Sequence, residues 1–119
     1  MNKDFEIFQI EFKKWQHRFG LTGYRVYFNY EPLEDCFARI SINQDEMVVT
    51  VRLNSNLSDK DKPHKDIKRS AKHEAIHLLV GRLEKNARYR YSSENEICEA
   101  VEELVFKLEE LICSLTTKW

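Results

Sequence analysis

Apolar residues recur every three or four positions near the start of the chain. Phe5, Phe8, Phe12, Trp15 and Phe19 form one stripe between Asp4 and about Phe19. That spacing predicts an amphipathic helix with an aromatic core face, closed by Gly20. His17 lies off the stripe and belongs at the surface. The period then changes to two. Tyr24, Val26, Phe28 and Tyr30 alternate with Arg25, Tyr27 and Asn29, and Pro32 follows. Cys36, Ala38, Ile40 and Ile42 alternate with Arg39, Ser41 and Asn43. After Gln44-Asp45, Met47, Val49, Val51 and Leu53 alternate with Thr50, Arg52 and Asn54. These three runs predict short strands, the last two joined as a hairpin. Three strands with one apolar face need helices to cover them.

Ser55 to Lys65 is polar, contains Pro63 and His64, and reads as a loop. A second helix is expected from about Asp66, with an apolar run from Ala71 to Leu83. On a helical wheel Ala75, Ile76, Leu79, Val80 and Leu83 form a broad apolar arc. Ser70, His73, Glu74, His77 and Gly81 form a separate strip of small or polar residues. An ordinary surface helix would carry Lys and Glu there, so the strip suggests the wall of a cleft. Glu84 to Ser92 is a basic connection. Ser92 or Ser93 is placed to cap a last helix reaching about Leu115, with Ile97, Val101, Leu104, Leu108, Leu111 and Leu115 as its buried stripe. The fold class is therefore α+β: an N-terminal helix, a three-stranded mainly antiparallel sheet, a second helix and a long C-terminal helix.

Composition narrows the class without changing it. A chain of 119 residues supports a single domain over 1–119 with one modest core. The net charge of −1 provides no global field toward nucleic acid or anionic membrane. Locally, Lys60, Lys62, Lys65, Lys68, Arg69 and Lys72 crowd one stretch. Glu94, Glu96, Glu99, Glu102, Glu103, Glu109 and Glu110 crowd another, and both read mainly as solvated helix faces. No apolar run approaches the length of a membrane span. Cys36, Cys98 and Cys113 are odd in number and form no C-x-x-C pair. With no apolar N-terminal segment, they suggest a reducing, cytosolic setting. Cys98 is expected as a buried free thiol rather than a ligand.

Within the second helix, His73-Glu74-Ala75-Ile76-His77 reads H-E-x-x-H. Residues four apart project from one helical face, which suits two nitrogen ligands of a tetrahedral Zn²⁺. Glu74, about 100° around the helix, is placed to act as general base on a water at that ion. A catalytic zinc needs a third protein ligand, and no histidine follows His77. A glutamate of the last helix is the substitute, with Glu94, Glu96, Glu99, Glu102 and Glu103 competing. With the expected buried stripe centred about 10° from Ile97 on the wheel, Glu99 lies almost opposite. Glu96 and Glu103 share one flank and Glu102 lies on the other. Glu103 ranks first, with Glu96 as the alternative and Glu102 after them.

The order of elements around this motif resembles the minimal zincin metallopeptidase core, and more narrowly the small metallopeptidases of phages and bacteria. SprT-like and ImmA/IrrE-type domains are similar at greater distance. Asn95-Glu96-Ile97 is similar to the segment carrying the third ligand in thermolysin-like enzymes, whereas ImmA/IrrE spacing favours Glu103. The resemblance implies a zinc peptidase of bacterial or phage-infected host cytosol acting on a protein or peptide. It also implies that the third strand, Glu46 to Asn54, forms the sheet edge beside the metal and pairs with an extended substrate. Tyr89, Tyr91, Arg88 and Arg90 are candidates for stabilising an oxyanion. Two other readings stand beside it: a metal-containing, non-catalytic module that binds a partner protein, and a nucleic-acid binder using Lys60 to Lys72.

Overall fold

In the computed structural model, residues 2–58, 62, 65–88 and 93–117 are described, the last five as backbone alone. The readings made for Lys60, Pro63, His64, Tyr89, Arg90, Tyr91 and Ser92, and for the side chains of Cys113 and Leu115, fall outside them. The element order is α1 (Lys3–Arg18), β1 (Arg25–Glu31), β2 (Ala38–Asn43), β3 (Val48–Asn54), α2 (Ile67–Ala87) and α3 (Glu94–Thr117). The fold is α+β, and no helix among the described residues is long and apolar enough to cross a membrane.

Local chemistry sets the helix ends. Asn2 caps α1 by accepting from the Phe5 amide at 3.1 Å, and Gly20 leaves the helix at φ +72°. Asp66 caps α2 by accepting from Arg69 N. At α3, Ser93 Oγ accepts from Glu96 N at 3.2 Å. The Glu96 carboxylate in turn accepts from Ser93 N at 3.1 Å, which closes a capping box.

The sheet order is β1-β3-β2, with β1 parallel and β2 antiparallel to β3. The sheet is therefore mixed rather than mainly antiparallel. β3 lies in its centre and β2 at an edge, which corrects the placement of the third strand at the edge. The physical reason is burial. Val49, Val51 and Leu53 are 0–3% exposed and demand a neighbour on both sides, whereas β2 alternates between exposed and half-buried. Met47 is not part of β3; it sits in the hairpin turn at φ +54° and is exposed.

Asn54 ties the β1–β2 crossover to the sheet. Its amide nitrogen donates to the carbonyls of Leu33 and Cys36, and its oxygen accepts from the amides of Leu33 and Asn56, so its full hydrogen-bonding capacity is used.

α1 and α2 cover one face of the sheet. Phe8, Phe12 and Trp15 pack with Val49, Val51 and Leu53 of β3 and with Ala71, Ala75 and Leu78 of α2. Phe8 and Phe12 meet Phe28 edge-on, at 6.4 and 5.6 Å. Burying each such ring contributes roughly 1.5–3 kcal/mol. α3 packs on the other side of α2, through Val105 against Ile76 and Val80. The apolar arc expected on α2 is thus split. Ala71, Ala75 and Leu78 face the sheet, Ile76 and Val80 face α3, and Leu79 and Leu83 remain exposed.

Candidate metal centre

An open cleft of about 1070 Å³ separates the β2 edge from α2 and α3, at the large end of ordinary ligand pockets. Ser70, His73, Glu74, His77 and Gly81 all line it, so the strip of small and polar residues on α2 is one wall. Ala38, Arg39, Ile40, Ile42 and Gln44 bring β2 to the opposite side. Gly81 permits this approach: a Cβ there would meet Gln44 Nε2 at 2.8 Å and Ile42 Cδ1 at 3.0 Å.

His73 and His77 stand side by side with ring centroids 4.9 Å apart. Phe106 of α3 packs over the His73 ring at 5.1 Å. The third group is Glu102. One donor atom each from His73, His77 and Glu102 lie within 4.8 Å of one another. His73 Nε2 is 3.6 Å from Glu102 Oε1, close to the roughly 3.3–3.6 Å between donors at bonds of about 2.0–2.2 Å to one tetrahedral ion. Glu102 Oε2 lies 2.9 Å from His77 Nε2, outside hydrogen-bond alignment, and is buried with no hydrogen-bond partner among the described residues. A carboxylate beside two imidazoles, with one of its oxygens unpartnered, is a donor set suited to a cation. Burial also holds the His77 imidazole below its ordinary pKa of 6.5, against the opposing pull of Glu102, and the neutral ring is the ligating form.

The residues ranked first for the third position are elsewhere. Glu103 is exposed and pairs with Lys107 at 2.8 Å, which holds its carboxyl below the ordinary value. Glu96 serves the α3 cap, and its hydrogen bonds from Ser93 likewise lower its pKa. The reason is helix phase. Val105 is fully buried and Ile112 half-buried, whereas Leu104 and Leu111 are 37% and 54% exposed. The buried face of α3 is therefore turned by roughly 40° from the leucine seam toward Glu102 and Glu109.

Glu109, read from sequence as solvated, is 2% exposed and accepts from both Arg69 Nε and His73 Nδ1, the latter at 2.8 Å. Its only signal in the sequence is its spacing of seven residues from Glu102, which places both on one helical flank.

Glu74 lines the same cleft at 7% exposure, with no hydrogen bond or ion pair among the described residues. Burial pushes its carboxyl from 4.5 up to about 7, opposed mainly by His73. A carboxyl poised near neutrality can take and return a proton. Arg88, the one described residue among the oxyanion candidates, is engaged by Glu84 at 2.7 Å and Glu94 at 3.0 Å. It also reaches Cys98 Sγ at 3.5 Å; that thiol is exposed on the cleft rather than buried.

The basic stretch of the sequence is partly consumed inside the fold. Lys65 pairs with Asp4, Arg69 with Glu109, and Lys72 is buried with its ammonium 6.0 Å from the centre of the Trp15 ring.

No protein-family model and no curated protein matches the chain.

Proposed function

We propose that this chain is a zinc-dependent peptidase, in which His73, His77 and Glu102 hold the metal and Glu74 is the general base. The observation that carries the reading is the convergence of three donors beside a buried carboxyl that has no hydrogen-bond or ion-pair partner among the described residues. A bound zinc ion supplies Lewis acidity, polarising a carbonyl and acidifying water. Glu74 would take the proton from an attacking water and return it to the leaving amine. The edge of β2 (Ala38–Asn43) lies beside the cleft, and an extended peptide segment would pair with it by backbone hydrogen bonds. That edge supports a protein or peptide as the substrate, and the donor set supports zinc as the metal.

The test combines metal content with turnover. Purified without a histidine tag, the protein is expected to bind close to one zinc per chain. His73→Ala/His77→Ala should abolish binding, and Glu74→Gln should keep the zinc and lose hydrolysis of an unfolded protein substrate. Metal binding without any hydrolysis, in wild type and Glu74→Gln alike, would instead favour a metal-containing binding module. Unchanged zinc in the double-histidine variant would overturn the site.

A further inference from the structure

We propose that Glu109, held by Arg69, is a positioning residue that commits His73 to offer Nε2 to a metal; this rests on the metal reading above. The carboxylate divides its oxygens between two donors. Oε1 accepts from Arg69 Nε and Oε2 accepts from His73 Nδ1. An ionised carboxylate can only accept, so Nδ1 carries the proton and the lone pair of a neutral imidazole is left on Nε2. That nitrogen is the one facing Glu102, at 3.6 Å. Because α3 carries Glu102 and Glu109 two turns apart on one flank, a single helix both supplies a donor and orients the ring beside it. Arg69, on α2 four residues before His73, occupies the remaining oxygen of a carboxylate that is 2% exposed, so Glu109 cannot swing away to solvent.

A carboxylate serves two donors here; an amide of the same shape cannot. With Glu109→Gln, the amide oxygen is the group able to accept from the Arg69 Nε–H beside it, which turns the NH₂ toward His73 Nδ1. Nδ1 must then accept, the proton moves to Nε2, and the ligating lone pair is lost. Removing Arg69 as well frees the amide oxygen to accept from Nδ1–H again. The prediction is therefore a rescue: Arg69→Met/Glu109→Gln should bind zinc more tightly than Glu109→Gln alone. A role limited to packing would make the double variant equal or worse, and one limited to charge balance would restore affinity while leaving the His73 tautomer the same in all three proteins.

The test measures zinc affinity by chelator competition and the His73 tautomer by long-range ¹H–¹⁵N NMR on metal-free protein. Wild type is expected as the Nδ1–H tautomer. Glu109→Gln is expected as Nε2–H, with zinc affinity lower by about ten- to a hundredfold, and the double variant should regain the Nδ1–H form and part of the affinity. A wild-type His73 protonated on Nε2 would overturn the proposal without any variant having to fold, as would a double variant no better than Glu109→Gln. The tautomer is read without metal, so it stands or falls separately from zinc binding itself.

Discussion

One position on a helix decides which glutamate reaches the histidines. Glu102 and Glu103 differ by about 100° around α3, enough to put one carboxylate against His77 and the other against Lys107 in solvent. Glu102→Ala should weaken zinc binding by at least tenfold, whereas Glu103→Ala should leave it within about twofold, both read by chelator competition. Glu96→Ala should spare the metal and cost about 0.5–1 kcal/mol of stability in denaturant melts through loss of the cap.

Glu74 gives a second residue-scale prediction, for the metal-free protein. Its pKa is raised on folding, from 4.5 to about 7, so the folded state binds this proton more tightly than the unfolded state. The associated stability is complete below pH 4.5 and is lost as pH rises through 7. At about 1.4 kcal/mol per pH unit the loss is at most about 3.5 kcal/mol. Urea melts should therefore show wild type falling relative to Glu74→Gln between pH 5 and 8. Parallel pH profiles for the two would contradict the buried, unpaired carboxyl.

Elements carry these residues, and their attachments are unequal. α2 is the hub, packed by α1 and the sheet on one side and by α3 on another. Its Gly81 is what lets the end of β2 close on the helix. Gly81→Ala would drive a Cβ into Gln44 and Ile42, and Gln44 is itself held by the Tyr24 hydroxyl at 2.7 Å. The expected cost is about 1–3 kcal/mol in thermal or urea melts, as for other overpacked contacts. Peptide binding at the β2 edge should weaken with it, because the edge and the histidines must move apart.

At the scale of the whole molecule, the protein has a larger core joining α1, the sheet and α2, and a smaller one joining α2 to α3. Elements held by fewer buried contacts open more readily. In metal-free protein, α3 amides should exchange with deuterium faster than those of β3 and α2. Zinc should slow α3 selectively, because Glu102 belongs to the same donor group as the α2 histidines. At a hundredfold excess over Kd the gain is about 2.7 kcal/mol, or roughly a hundredfold slower exchange. Equal protection of α3 with and without zinc would show that this helix contributes nothing to the metal.

The periods of the sequence determined the elements and their order. The aromatic stripe of α1, the alternation in β1 to β3, the helix start near Asp66 and the serine cap at Ser92 or Ser93 are local signals, and each element appears within a few residues of where it was expected. His73, Glu74 and His77 were legible for the same reason, since their geometry is set by one turn of one helix. What spans two elements was not legible. A heptad-like seam of leucines set the expected phase of α3, but Ile76 and Val80 of α2 select Val105 instead, and that rotation brings Glu102 and Glu109 to the histidines. Strand order had the same cause. Alternation shows which face of a strand is apolar, not which strand lies between the others, and only the burial of β3 between β1 and β2 put the β2 edge beside the cleft.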